Sequence, residues 1–293
     1  MSVIKSFAVG DGDMFYIRHD TDSFTIIDCF LNEQNEHIIL GQVGPIRKSK
    51  GITRFISTHP DIDHVRGLDA LDAEIGIINF YCVRNNVTKP EETAGFTKYC
   101  ELRDSDKAFS LRKGCTRKWL NESDTTRGGA GIQILWPDTN NPYFKDALAD
   151  AEAGASANNI SAIIRYALNN GATALWFGDM HKDFIELIEG ELQISKANLV
   201  FAPHHGRRTG RIPRSLLEKI SPKIVIIGEG ATEHLDYYVG YNTITQNSAG
   251  DVIFECVTGK VHVFTSKEYE VDYLEDEGRT WGDLHYVGTL NLS

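Results

Sequence analysis

The chain has 293 residues, 41% of them hydrophobic and 24% charged, which supplies a sizeable core and leaves no long polar tract that would favour disorder. With 30 Lys+Arg against 41 Asp+Glu the net charge is −11, which argues against a protein that coats nucleic acid non-specifically and leaves room for a local basic groove at most. No apolar run approaches the roughly 18 residues that a membrane span needs, and the N-terminal apolar stretch is too short for a secretory signal, so a cytoplasmic protein without membrane contact is expected.

In chain order, Ile4–Val9, Met14–Arg18 and Phe24–Ile27 read as short strands separated by Gly-Asp-Gly-Asp and Asp-Thr-Asp-Ser turns. Asn32 is placed to cap a helix carrying Ile38, Ile39 and Leu40. A strand at Arg54–Ser57 runs directly into Thr-His-Pro-Asp-Ile-Asp-His, and Ile75–Tyr81 reads as the next strand. Residues from about 89 to 129 are charged and weakly patterned, with a helix expected near Glu91–Leu111; they read as a polar insertion over the mouth of a site within a single domain of residues 1–293. A strand follows at Ile132–Trp136. Ser161–Leu168 and Ala172–Phe177 flank Asn169-Asn170-Gly171, a hairpin signal. Ile185–Leu187, Leu199–Phe201, Arg214–Ile220 and Ile224–Ile227 continue the alternation of strands and helices, and a second hairpin, Val252–Cys256 with Lys260–Thr265, turns at Thr258-Gly259. Elements clustered in two halves predict an α/β protein with two sheets packed face to face and helices outside. The five cysteines are odd in number and form no C-x-x-C pair, which fits reduced thiols.

The chemistry concentrates in His59-Pro60-Asp61-Ile62-Asp63-His64. In an extended loop alternate residues point the same way, so His59 and Asp61 can share one divalent ion while Asp63 and His64 face a second. Two such ions can flank a bridging hydroxide, the nucleophile of a two-metal hydrolase, with Asp63 as ligand and orienter of that nucleophile. Two further segments add ligands: the apolar run Ala174–Phe177 ends in Gly178-Asp179, and Leu199–Ala202 leads into Pro203-His204-His205-Gly206. Asp179 is placed to bridge both ions. Either of His204 and His205 can be the ligand.

These motifs resemble the metallo-β-lactamase superfamily, whose usual signature is H-x-H-x-D-H, and more closely the hydrolase domain of ComEC-type DNA-uptake proteins, where it reads H-P-D-x-D-H. The similarity extends through Gly10-Asp11-Gly12-Asp13, Thr25-Ile26-Ile27-Asp28, Asn158-Asn159-Ile160-Ser161, Gly178-Asp179, His204-His205-Gly206 and Ser221–Ile227. It implies an αββα sandwich of two mixed sheets with outer helices, two divalent ions (Mn or Zn), Asn159 and Ser161 near the substrate, and His234 as the family's last catalytic histidine. The chain also departs from the pattern. Asp61 replaces a histidine, no histidine lies between His64 and Asp179, Arg207-Arg208 follows the H-H-G where the uptake proteins have Ser, and Glu233-His234-Leu235 stands for a motif ending in His-Pro. An oxygen-rich ligand set moves metal preference from zinc toward manganese.

For substrate, Arg207 and Arg208 follow the histidine pair, with Arg211 and Arg214 close behind, and clustered arginine suits bidentate recognition of phosphate. Lys113, Arg117 and Lys118 beside Trp119 offer a second basic strip. The expected function is therefore a phosphodiesterase or nuclease acting on DNA or a nucleotide. A lactone or β-lactam type hydrolase and a degenerate, non-catalytic metal-binding domain remain as alternatives.

Overall fold

The computed structural model describes residues 1–230 and 236–292. It opens with three antiparallel strands, β1 (Ser2–Ser6), β2 (Phe15–Arg18) and β3 (Ser23–Ile27). Their apolar residues alternate between two cores. Ile4, Phe15, Ile17 and Ile27 enter one, and Val3, Tyr16, Phe24 and Ile26 the other, so the sheet is covered on both faces. A two-residue strand β4 (Cys29–Phe30) leads to helix α1 (Glu36–Lys48). That helix starts after Asn35, later than the expected cap at Asn32, because the Asn32 side chain accepts the amides of Gln34 and Asn35 in a turn before it.

Next, β5 (Ile52–Ile56) lies parallel to β3 and feeds the histidine loop, which contains the single-turn helix α2 (Ile62–Val65). Helix α3 (Leu68–Ile75) then returns the chain to β6 (Phe80–Cys82), parallel to β5. The expected strand Ile75–Tyr81 is thus two elements. Leu68, Leu71 and Ile75 follow helical spacing and are buried, Gly76 ends the helix at φ 61°, and only the last residues of the apolar run pair as strand.

The region read as a polar insertion is built into the layers. Helix α4 (Ala94–Arg103), shorter than expected, buries Phe96, Tyr99 and Leu102, and β7 (Ala108–Ser110) forms one edge of the first sheet beside β6. Leu111, Cys115 and Leu120 reach the other core. Sparse apolar residues suffice here because they join existing cores instead of building a new one.

The second sheet follows: β8 (Ile132–Trp136), helix α5 (Pro142–Glu152), β9 (Ile163–Ala167), β10 (Thr173–Trp176), helix α6 (Lys182–Ile188), β11 (Leu199–Phe201), helix α7 (Arg214–Ile220), β12 (Ile224–Ile227) and β13 (Thr243–Thr245). The β9–β10 hairpin turns at the expected Asn-Asn-Gly, with Asn170 at φ 53°. After helix α8 (Gln246–Ala249), strands β14 (Val252–Val257), β15 (Lys260–Thr265) and β16 (His285–Asn291) rejoin the first sheet through β14 and β1. Strand order is β16-β15-β14-β1-β2-β3-β5-β6-β7 in one sheet and β13-β12-β11-β10-β9-β8 in the other; both are mixed. One core holds the facing sides of the two sheets together with α5, α6 and α7, and the other packs α1, α3 and α4 against the outside of the first sheet. The chain is therefore an αββα sandwich. No helix among the described residues is long and apolar enough to cross a membrane.

Candidate metal centre

Four strands, β3, β5, β10 and β11, deliver the polar residues of the centre from their carboxyl ends: Asp28, His59 to His64, Asp179, and His204 with His205. Beneath them Trp176 and Phe201 stack with centroids 4.7 Å apart, and Phe15 meets Phe201 edge-on at 5.0 Å. This aromatic floor fixes the strand ends that carry the ligands. The turns above it are strained. Asp28, His204 and His205 adopt φ values of 57°, 52° and 54°, a left-handed region that costs a non-glycine residue free energy and persists where surrounding contacts over-determine it. At Gly178, φ is 54° and a Cβ would stand 2.7 Å from Ser161 Oγ, so only glycine lets the chain turn Asp179 inward here.

Asp179 is the centre of the arrangement. Its Oδ1 lies 3.1 Å from His64 Nε2, and its Oδ2 lies 3.4 Å from His205 Nε2 and 3.7 Å from His204 Nε2. Two further carboxylates hold the rings from behind: Asp28 Oδ2 is 2.9 Å from His64 Nδ1, and Asp13 Oδ1 is 3.0 Å from His205 Nδ1. An ionised carboxylate can only accept, so each Nδ1 donates and each Nε2 is aimed at the centre. Asp28 is itself locked by the Thr58 amide and hydroxyl, both donating at 2.7 Å. Having given its one proton to Asp28, the Thr58 hydroxyl accepts from His59 Nδ1 at 3.1 Å, which leaves His59 Nε2 as a free lone pair.

Four fully buried atoms in this small region, His59 Nε2, His64 Nε2, His205 Nε2 and Asp179 Oδ1, have no aligned hydrogen-bond partner. Each such atom costs roughly 1–3 kcal/mol when left unsatisfied, and four together fit a cation that would satisfy them all. Two overlapping ligand groups emerge among the described residues: Asp13, His64, Asp179 and His205, and His59, Asp63 and His64. Imidazole with carboxylate is the donor set of divalent first-row ions. Without an ion, burial alone would lower His64 and His205. The carboxylates outweigh it, Asp179 and Asp28 for His64 and Asp13 and Asp179 for His205, and hold both well above the usual histidine range. Burial together with neighbouring His64 lowers His59, and burial lowers His204 to about 4. For Asp63, burial opposes but the His205 hydrogen bond and the His64 charge prevail, and it is held below the usual carboxylate range.

The grouping differs from the one that alternation along the loop suggests. Asp63 stands with His59 and His64, its Oδ2 also 3.5 Å from His205 Nε2, whereas Asp61 belongs to neither group. The Asp61 Oδ1 is paired with the Lys89 ammonium, and its Oδ2 is 3.7 Å from His59 Nε2. Of the two neighbouring histidines, His205 is buried in the centre, while His204 is half-buried with its Nδ1 2.8 Å from Thr209 Oγ1 and its ring stacked on His181 at 5.6 Å. Asn159 and Ser161, expected near the substrate, bond to the turn: Asn159 Oδ1 accepts the His181 amide at 3.1 Å, and the fully buried Ser161 Oγ accepts the Asp179 amide at 3.2 Å. Arg207 and Arg208 diverge. Arg207 pairs with Asp11 at 2.9 Å, and Arg208 lines a cavity of about 390 Å³ with Lys182, Asp183, Thr209, Arg211 and Tyr237. His234 lies outside the described residues. Asp13, Asp28 and Lys89 have no site role in the sequence reading; the signals of the first two, a Gly-Asp turn and a strand-ending Asp, are common in unrelated chains, and Lys89 carries none.

Two mixed sheets with outer helices are the layering expected from the sequence. No known family profile matches the chain, and no curated protein is similar to it in sequence. Among solved structures it is similar to CmlA, a diiron β-hydroxylase from Streptomyces venezuelae, at 12% identity and a TM-score of 0.42, over 78% of this chain and 44% of that one.

Proposed function

We propose that the chain is a metal-dependent phosphodiesterase acting on a nucleotide or single-stranded DNA. The observation that carries the metal half of this reading is the convergence of buried, unpartnered His59 Nε2, His64 Nε2, His205 Nε2 and Asp179 Oδ1. Divalent ions held there would polarise a phosphoryl oxygen and make water nucleophilic near neutral pH. The chain's own residues do the rest. Asp28 and Asp13 fix the histidine tautomers, and Asp63, 30% exposed at the rim, is placed to orient an incoming group. Thr209, hydrogen-bonded to His204, joins the centre to the cavity of Arg208, Arg211 and Tyr237. There Arg211 stacks over the Tyr237 ring at 4.5 Å, and its buried Nε lacks a partner. Two guanidiniums beside a metal centre suit a phosphate.

The test is hydrolysis of bis-p-nitrophenyl phosphate, single-stranded DNA and a lactone by protein loaded with Mn²⁺ or Zn²⁺. Phosphodiester cleavage that chelation abolishes supports the proposal. Turnover of the lactone alone would replace it with a carboxylic-ester or lactone hydrolase.

A further inference from the structure

We infer that Lys89 is a built-in counter-cation that, by engaging Asp61 beside His59, makes the side of the centre formed by His59, Asp63 and His64 the weaker metal site, so that one ion is held tightly and the second loosely. This rests on the metal reading above and not on its choice of substrate. The tight side does not draw on Asp61, since one ligand atom each from Asp13, His64, Asp179 and His205 lie within 4.8 Å of one another and all four residues are buried, Asp13 also holding His205 Nδ1. On the other side His59 groups with Asp63 and His64, its Nε2 is buried and unpartnered, and Asp61 Oδ2 stands 3.7 Å from that nitrogen as a further carboxylate. Asp61 spends its other oxygen on Lys89 Nζ, with both side chains more than four-fifths buried, at 18% and 17% exposure. Little water screens that pair, so the ammonium both draws off the carboxylate's charge and repels a divalent ion arriving at His59.

The position of Lys89 is set by its loop, not by chance contact of a long side chain. After β6, Asn85 donates to Val83 O at 2.7 Å and to the Tyr99 hydroxyl at 2.8 Å, and accepts the Val87 amide at 3.1 Å. Arg103 Nη1 donates to Val87 O at 3.2 Å, and the Asn86 amide donates to Glu152 at 2.7 Å. The backbone two residues before Lys89 is therefore braced on α4, and the segment just before it on α5. An anionic substrate that attracted the ammonium would release Asp61 toward His59, coupling capture of the second ion to substrate.

Calorimetric titration of the metal-free protein with Mn²⁺ alone tests this. The wild type should show one tight and one weaker ion. Lys89→Met should tighten the weaker site by about tenfold or more, the scale of one poorly screened charge a few ångström from a divalent ion, and leave the tight site unchanged. Lys89→Gln should do the same if the Met variant fails to fold, Lys89→Arg should keep the wild-type pattern, and adding Asp61→Asn to Lys89→Met should abolish the gain. Unchanged or weakened second-site binding in both neutral variants would overturn the inference while leaving the metal reading intact. No ion uptake by any variant would overturn both.

Discussion

His64 presents Nε2 to Asp179 Oδ1 at 3.1 Å while its Nδ1 donates to Asp28 at 2.9 Å, so one ring joins a carboxylate inside the centre to one behind it. His205 repeats the pattern between Asp179 and Asp13. Two imidazoles, each fixed by its own carboxylate and both facing a shared one, form a preorganised cradle, because neither ring has to choose a tautomer when a cation arrives.

The Asp28 carboxylate is reached through His64 and Thr58, without touching the point where the Nε2 atoms meet. Asp28→Asn should therefore lower the affinity of the tight site by about 10–100-fold, the usual cost of losing such a support. Its melting temperature in the absence of metal is the control. Equal affinity in the variant and the wild type would show that the ring needs no second carboxylate.

Metal binding should release protons. With His64 and His205 held above the usual histidine range, both are cationic in the ion-free centre at neutral pH, and a ligand nitrogen must be neutral. Affinity should therefore rise with pH and fall as the pH is lowered. Titration at pH 7 in buffers of different ionisation enthalpy should count about two protons released per tight ion. A count of zero would mean that these rings are already neutral.

A third expectation concerns His19, away from the centre. It is buried, its Nε2 lies 2.8 Å from Thr25 Oγ1, and burial, with Arg54 and Lys50 nearby, holds it well below the usual 6.5. The unfolded chain protonates this ring below pH 6.5 and the folded chain does not, so the unfolded state binds more protons there and stability falls as pH falls. Compared with His19→Gln, the wild type should lose about 1.4 kcal/mol per pH unit below that point, read from denaturant midpoints. Parallel pH profiles for the two proteins would show that His19 takes up its proton in the folded state.

Much of this was legible in the residues. Short apolar runs between turn residues marked β1 to β3, and the Asn-Asn-Gly and Thr-Gly turns marked two hairpins, because those signals are local. The segments holding His59 to His64, Asp179 and the His204-His205 pair stood out because each comes after an apolar strand, without distinguishing His204 from His205. Asp13 and Asp28 did not, since their roles depend on partners 192 and 36 residues away that only the folded sheets bring near. The pairing of Asp61 with Lys89 across 28 residues was not legible either, and the group that holds His59 contains Asp63 where the loop's alternation suggested Asp61. The divergence of Arg207 from Arg208 follows from backbone geometry that neighbouring arginines do not reveal: Arg207 is extended, at φ −62° and ψ 162°, and Arg208 begins the turn Arg208–Gly210.

That divergence sharpens the expectation for substrate. Arg207 is engaged by Asp11, whereas Arg208 and Arg211 line the cavity joined to His204 through Thr209. If these two guanidiniums grip phosphate in the ground state and in the transition state alike, Arg208→Ala with Arg211→Ala should raise KM for bis-p-nitrophenyl phosphate and change kcat little. The rise should be on the order of tenfold or more, since hydrogen bonds to charged groups are worth about 1.5–3 kcal/mol each. Arg207→Ala should leave KM near the wild-type value. On single-stranded DNA, binding should weaken as salt rises, with a shallower slope in the double variant, because fewer counterions are released per phosphate engaged. With a net charge of −11, long duplex should bind more weakly than a short single strand, as attraction comes from this pocket and not from the whole surface. Tyr237 supplies the remaining contact. Its ring carries Arg211 at 4.5 Å and Arg214 at 5.0 Å, so Tyr237→Ala should loosen Arg211 and raise KM for phosphodiesters with and without an aromatic group alike. If the double variant instead lost kcat at unchanged KM, the arginines would be acting on the transition state, and the cavity would be part of the reacting centre and not a place where the substrate is held.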